Sequence, residues 1–187
     1  MKYYKDNYYH IFNRGCNKQP IFFSDDNYIY LLKKIKESYQ EFGINILAYC
    51  FMPNHYHFLI QQMTYKPVSD WLRKIFGGYT QAINKQQQRR GTLFEGRAKA
   101  ILVDKEEYLI HLMRYIHNNP VKADLVTDSN DWKYSNYLEC AGIRAGSLYN
   151  KKFIIQNFSP RIEYKKYFED YQAESKILKA LDKYLID

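Results

Sequence analysis

Two histidines flank one bulky residue in the strand-like stretch Met52-Pro53-Asn54-His55-Tyr56-His57-Phe58-Leu59-Ile60. Side chains alternate across a strand, so His55 and His57 share one face while Tyr56, Phe58 and Ile60 take the other. Imidazole is the commonest metal-ligating side chain, and an i, i+2 pair converges on one ion without bending the backbone. The bare pattern is more often a polar surface pair, so its chemistry depends on what else the chain brings to that face. A second group lies far along the sequence. In a helical stretch beginning near Asp104, Leu109, Leu112, Met113 and Ile116 form an apolar stripe at spacings of three and four. Tyr108, His111, Tyr115 and Asn119 form a polar stripe about 100° around the helix from it. Tyr115 is thus not required by the core, and Asn119 follows it by about one turn.

The elements that would position these groups can be read in order. Tyr8 to Phe12 reads as a strand running into the turn-like Asn13-Arg14-Gly15, and Pro20 to Phe23 as a short apolar piece. Ser24-Asp25-Asp26 has the oxygen-bearing and acidic residues that suit a helix start. A helix is expected from about Asp26 to Phe42, with Ile29, Leu32, Ile35 and Tyr39 inward and Gly43 as its stop. Ile44 to Phe51 is a near-continuous apolar run and so a buried strand, and the turn Met52-Pro53-Asn54 leads to a second strand, His55 to Gln61. Pro67 and Ser69 open a long helix through about Gln88 with Trp71, Leu72, Ile75, Tyr79 and Ile83 on one side. Ala98 to Val103 is a last strand. Strand, helix, strand, strand, helix, strand is the order of a ferredoxin-like α+β fold, an antiparallel sheet with helices packed on it.

The last strand feeds the Tyr115 helix. Asp104 is placed to cap it with Glu107 as the reciprocal acid, and Pro120 should end it near Asn119. Beyond lie a short helix around Tyr134 to Cys140, an apolar element at Lys152 to Phe158, and one or two helices between Ile162 and Leu185. The division expected is a domain over residues 1–140 and a C-terminal helical extension over 141–187, packed on or flanking it.

The chain has 187 residues and a formal net charge of +8, with a pI near 9.2. Residues 161–187 carry six Lys/Arg against six Asp/Glu, so the whole excess lies in residues 1–160. A basic body with a neutral tail suits a polyanionic partner. The segment Lys85 to Lys99 is rich in basic residues, and Gly91 and Gly96 bracket Thr92-Leu93-Phe94-Glu95; Arg14, Arg97 and Lys99 are candidate phosphate contacts. Of the remaining histidines, His10, His111 and His117 read as structural or solvent-facing, and Trp71 and Trp132 as core. The three cysteines, Cys16, Cys50 and Cys140, are odd in number and widely spaced, which argues against a disulfide framework and a thiolate zinc site. No signal peptide or membrane span is evident, and a cytoplasmic protein is expected.

Four motifs occur in one order: Tyr9-His10-Ile11-Phe12-Asn13-Arg14-Gly15, Met52-Pro53-Asn54-His55-Tyr56-His57, Gly91-Thr92-Leu93-Phe94-Glu95-Gly96-Arg97, and Arg114-Tyr115-Ile116-His117-Asn118-Asn119-Pro120-Val121. Over about residues 3 to 140 this resembles the single-tyrosine HUH transposases of insertion sequences, most closely their REP-associated tyrosine transposase branch. The resemblance implies a ferredoxin-like core, a divalent cation such as Mg²⁺ or Mn²⁺, and single-stranded or hairpin DNA as partner. It assigns His55 and His57 as the HUH histidines, Tyr115 as the nucleophile and Asn119 as the polar metal ligand one turn later. Tyr56 departs acceptably from the large apolar residue usual between the histidines.

The chemistry is coherent. A metal held by His55, His57 and Asn119 would polarise a scissile phosphate, and Tyr115 would attack it in line, giving a 5′-phosphotyrosine and a free 3′-hydroxyl. The implied activity is a transposase and strand-transferase that cleaves and rejoins single-stranded DNA near hairpins. Two alternatives stand beside it: a non-catalytic hairpin-DNA-binding regulator derived from a transposase, and a metal-dependent hydrolase with no covalent step. The first leaves the joint presence of His55, His57 and Tyr115 without a reason, the second leaves Tyr115 without a role. Zinc also suits two histidines taken alone. Both a monomer acting in cis and a homodimer exchanging the tyrosine helix are compatible with the chain.

Overall fold

The computed structural model describes residues 3–158, 162–170, 179 and 181–184. Its centre is a four-stranded antiparallel sheet made of β1 (Tyr8–Arg14), β2 (Ile44–Met52), β3 (His55–Gln62) and β4 (Lys99–Val103), in the order β2-β3-β1-β4. Helix α1 (Asp25–Ser38) connects β1 to β2 and α2 (Val68–Gln86) connects β3 to β4, which is the ferredoxin-like α+β arrangement expected. Gly43 makes the turn into β2 at φ +61°, and a Cβ there would lie 2.3 Å from Thr64 Cγ2, so no other residue fits.

One sheet face is sealed by α1 and α2. Tyr9, Ile11, Phe51, Tyr56, Phe58 and Ile60 from the strands pack against Trp71, Leu72, Ile75, Tyr79 and Ile83, all buried, as the α2 stripe required. The face that α1 buries matches the expected one except at its start. Ile35 is buried and Leu32 and Tyr39 pack against the core as expected, joined by Tyr28 and Leu31, whereas Ile29 is 59% exposed. The reason lies outside the helix: the Tyr28 ring stacks between Phe22 at 4.0 Å and Tyr134 at 3.7 Å and takes the inward place expected for Ile29. The helix also stops at Ser38 rather than Phe42. There the Ser38 hydroxyl donates to the Lys34 carbonyl at 2.8 Å and accepts from the Trp71 indole at 3.1 Å.

The other face carries α3 (Glu107–Lys122), whose Leu109, Leu112, Met113 and Ile116 cover Leu47, Ala48, Cys50, Met52 and Leu59. Outside it lie α4 (Tyr137–Cys140), α5 (Lys151–Asn157), α6 (Ile162–Glu169) and a single helical turn at Asp182–Tyr184. Ile154, Phe158, Tyr164, Phe168, Leu181 and Tyr184 join the same apolar cluster, so the extension packs on α3. Part of the helical segment expected between Ile162 and Leu185 lies outside the described residues. Trp132 is half-buried and touches both clusters, its indole donating to the Phe51 carbonyl at 3.2 Å. Cys16, Cys50 and Cys140 are free thiols.

Both ends of α3 correct the sequence-based expectation. At the start, Asp104 does not cap: Glu106 is the N-cap residue, and the Asp104 carboxylate accepts from the Tyr184 hydroxyl. At the end, the helix runs through Pro120 to Lys122. A proline inside a helix deprives the carbonyl four residues earlier of its donor. Here that carbonyl belongs to Ile116, and the Asn119 side-chain amide donates to it at 3.4 Å and to the Tyr115 carbonyl at 2.9 Å. The local replacement lets α3 continue for a further turn.

His117 is structural, as expected. Buried on α3, it accepts at Nδ1 from the Tyr164 hydroxyl at 2.6 Å and donates from Nε2 to Asn136 Oδ1 at 2.8 Å. That amide oxygen also accepts from the Tyr49 backbone at 2.7 Å, so a polar chain ties the extension to the outer strand β2. No described helix is long and apolar enough to cross a membrane.

Candidate active site

Strand register decides which side chains share the α3 face. In the β1–β3 pair Arg14 lies opposite His55, Phe12 opposite His57 and His10 opposite Leu59, so His10, Phe12 and Arg14 project beside the histidine pair. Lys99 on β4 lies opposite Phe12 on the same face. Helix α3 brings Tyr115 over them. Its ring meets His57 edge-on, centroids 5.8 Å apart at 90°, and His10 at 6.4 Å; the His55 and His57 rings are 5.1 Å apart. A cavity of about 680 Å³ opens here, with Arg14, His55, Lys99, Tyr115, Asn119 and Lys122 in its wall.

The hydrogen bonds of the histidines define their free atoms. A carbonyl oxygen only accepts, so the 2.7 Å contact of His55 Nδ1 with Asn54 Oδ1 places the His55 proton on Nδ1. The Asn54 amide is oriented by its nitrogen, which donates to the Lys18 carbonyl at 3.2 Å. His55 Nε2 therefore carries a lone pair. His57, 1% exposed, uses Nδ1 in a 3.1 Å contact with His10 Nε2, and its own Nε2 is buried with no hydrogen-bond partner among the described residues. Burial, with Arg14 nearby, pushes the His55 pKa down to about 4. Burial, reinforced by His10 and His55, pushes His57 well below its ordinary value. Both imidazoles are neutral at physiological pH, which is the form that ligates metal.

An orphaned buried ring nitrogen costs free energy unless something fills it, and a cation is the partner that suits a lone pair. Among the described residues no group of three His, Cys, Asp or Glu side chains is placed to hold an ion. The donor set is thus two imidazoles plus oxygen. Asn119 lines the cavity, and because its nitrogen is spent on the helix carbonyls, Oδ1 is the atom left for a ligand.

The basic candidates separate. Lys99 borders the cavity. Arg14 does too, but its guanidinium is paired with the Glu95 carboxylate through two hydrogen bonds, which holds the Glu95 pKa below its ordinary value. Arg97 is exposed and does not line the cavity. Lys122 joins the wall because α3 runs past the expected stop at Asn119. Its ammonium sits 5.2 Å from the centre of the Tyr115 ring, and the i, i+7 spacing from Tyr115 was the available signal. Glu95 and Asn54 gave no signal of their role.

The fold is that of a small α+β protein, and the sequence places it in the DNA-transposing class. Residues 3–119 match the family model of the IS200-like transposases, and the chain belongs to that family. No curated protein sequence matches. Among solved structures, the chain is similar to a REP-associated tyrosine transposase bound to a REP hairpin, with a TM-score of 0.66 and 18% identity over 80% of this chain and 92% of that one. A Deinococcus radiodurans protein assigned as a transposase aligns at 18% identity over 63% of this chain and 94% of its own, with a TM-score of 0.44. The first likeness matches the fold observed here; the second is too distant to inform it.

Proposed function

We propose that this transposase cuts and rejoins single-stranded DNA beside hairpins, with Tyr115 as the nucleophile and His55, His57 and Asn119 Oδ1 as the holders of a divalent Mg²⁺ or Mn²⁺ ion. The observation that carries this reading is the partnerless Nε2 of His57, buried beside the edge of the Tyr115 ring. When bound, the ion would draw charge from the non-bridging phosphate oxygens and fix the phosphate's orientation. Tyr115 supplies the new bond. Its phenolic oxygen joins phosphorus as the bond to the 3′ oxygen breaks, the phenolic proton leaves, and the 3′ oxygen ends as a hydroxyl. The 5′-phosphotyrosine conserves the bond energy, so the reverse attack by a 3′-hydroxyl rejoins a strand without a nucleotide triphosphate.

The remaining wall serves this chemistry. Lys122, over the Tyr115 ring, adds a cation to the wall where charge gathers on the attacked phosphate. Lys99 offers a point charge to the DNA backbone, and Arg14 becomes a two-pronged phosphate contact once DNA displaces Glu95. The +8 charge and the likeness to a hairpin-bound transposase support hairpin DNA and the REP-associated branch.

The test is to incubate the protein with hairpin-bearing oligonucleotides and Mn²⁺ or Mg²⁺ and look for a covalent adduct on the 5′ side of the cut. Tyr115→Phe should reduce it at least about 10³-fold, as loss of a nucleophile does elsewhere, and EDTA should abolish it. An undiminished adduct in Tyr115→Phe removes the nucleophile assignment. Hairpin binding with no adduct under any metal condition would favour the regulator reading instead.

A further inference from the structure

The orphaned His57 nitrogen is aimed by a relay that starts at the far end of the chain. His10 is fully buried, and its Nδ1 lies 2.6 Å from the backbone carbonyl of Tyr184, 174 positions away in sequence. A carbonyl cannot donate, so Nδ1 of His10 carries the hydrogen. In the neutral ring Nε2 is then an acceptor, and the hydrogen-bond partner it meets among the described residues is His57 Nδ1 at 3.1 Å. His57 Nδ1 must therefore be the protonated nitrogen, which leaves the lone pair on Nε2, the atom without a partner. His10 is 0% exposed, and a charged ring there would lose its hydration.

The carbonyl at the head of this relay is itself anchored. The Tyr184 ring is buried in the cluster under α3, its hydroxyl donates to Asp104, and it packs near Tyr108 at 6.1 Å. Leu181, just before the turn at Asp182–Tyr184, is buried in the same cluster.

We propose that His10 is a positioning residue that transmits the Tyr184 carbonyl to His57 and locks its Nδ1–H tautomer, so that the C-terminal turn helps build the metal-binding face. Metal-bound histidines depend on such outer partners to fix their tautomer, and losing one typically costs about 10- to 100-fold in metal affinity. Here the outer partner is a second histidine, and the fixed point behind it is main chain. The lock rests on the reading of His57 as a ligand, but it exists without metal and can be measured without it.

The test compares the full-length protein with His10→Phe and His10→Gln. Phenylalanine fills the space with no polar atom, whereas glutamine presents an amide nitrogen to the Tyr184 carbonyl and an amide oxygen to His57 Nδ1. Nitrogen NMR of the metal-free, ¹⁵N-histidine protein should show His57 protonated at Nδ1 in the parent and in His10→Gln, and a mixture of tautomers in His10→Phe. Mn²⁺ affinity, read by electron paramagnetic resonance, should fall about 10- to 100-fold in His10→Phe and be largely restored in His10→Gln. An unchanged His57 tautomer in a folded His10→Phe protein overturns the lock. If His10→Phe fails to fold, a His57 protonated at Nε2 in the parent or in His10→Gln overturns it as well. A parent with the Nδ1–H tautomer that binds no Mn²⁺ leaves the lock standing and removes the metal reading.

Discussion

The two faces of the sheet are built from the same strands on opposite principles. On the α1/α2 face the inward strand residues are apolar or aromatics packed as such, save Gln62 at the end of β3, which accepts from the Val68 backbone, and the result is a sealed layer around Trp71, Tyr79 and Phe58. The α3 face buries His10, His57, His117, Asn119 and Asn136 among its aliphatic residues; Asn119 bonds to carbonyls of its own helix, and the others are tied to neighbours across the layer. Strand alternation makes this division possible, since His57 and Phe58 are adjacent in sequence and serve different layers. The first face holds the fold together. The second accepts the cost of buried polar groups to orient a few atoms.

That contrast can be broken from either side. The largest effect expected is on chemistry: His57→Ala should lower Mn²⁺-dependent adduct formation at least about 10³-fold, as removal of a metal worth several kcal/mol requires. Next, Trp71→Ala on the sealed face should cost about 3–5 kcal/mol in urea unfolding. It should leave the Mn²⁺ affinity of the folded protein nearly unchanged, because the site lies across the sheet. A Trp71→Ala protein that folds but no longer binds Mn²⁺ would show the two faces to be coupled.

Acid should expose the difference between the faces in the parent itself. Burial lowers His10 and His117 from 6.5 to about 4 in the folded state. Between those values the unfolded chain binds more protons, so their contribution is intact above pH 6.5 and is lost as pH falls toward 4, at roughly 3 kcal/mol for each ring. Hydrogen exchange at pH 5 should accelerate first in α3 and α4, with α1 and α2 lagging. Equal acceleration on both faces would contradict the assignment of the polar network. The smallest effect belongs to the rim: Lys99→Ala should weaken hairpin binding modestly and reduce the salt slope of affinity by about one, the signature of one lost phosphate contact.

Much of this was legible from residue order. The His55/His57 alternation, the α2 stripe and the offset of Tyr115 from Leu112 and Ile116 follow from period two and period 3.6 alone. What escaped depended on contacts that no local pattern encodes. Tyr28 takes the core place expected for Ile29 because Tyr134, far along the chain, stacks on it. Pro120 fails to end α3 because the Asn119 amide donates to the carbonyl it orphans, and Lys122 reaches the site only for that reason. Arg14 reads as a free cation until Glu95 is seen beside it. The Tyr184 carbonyl is main chain, which every residue carries, so no residue type could announce it.

The central claim is that His55 and His57 present two neutral Nε2 atoms to one divalent ion in front of Tyr115. Electron–nuclear double resonance of Mn²⁺ bound to the ¹⁵N-histidine protein tests it directly. Two directly coupled imidazole nitrogens are expected in the parent, one in His55→Ala and one or none in His57→Ala. A parent spectrum with no nitrogen coupling, only water and oxygen ligands, would contradict it.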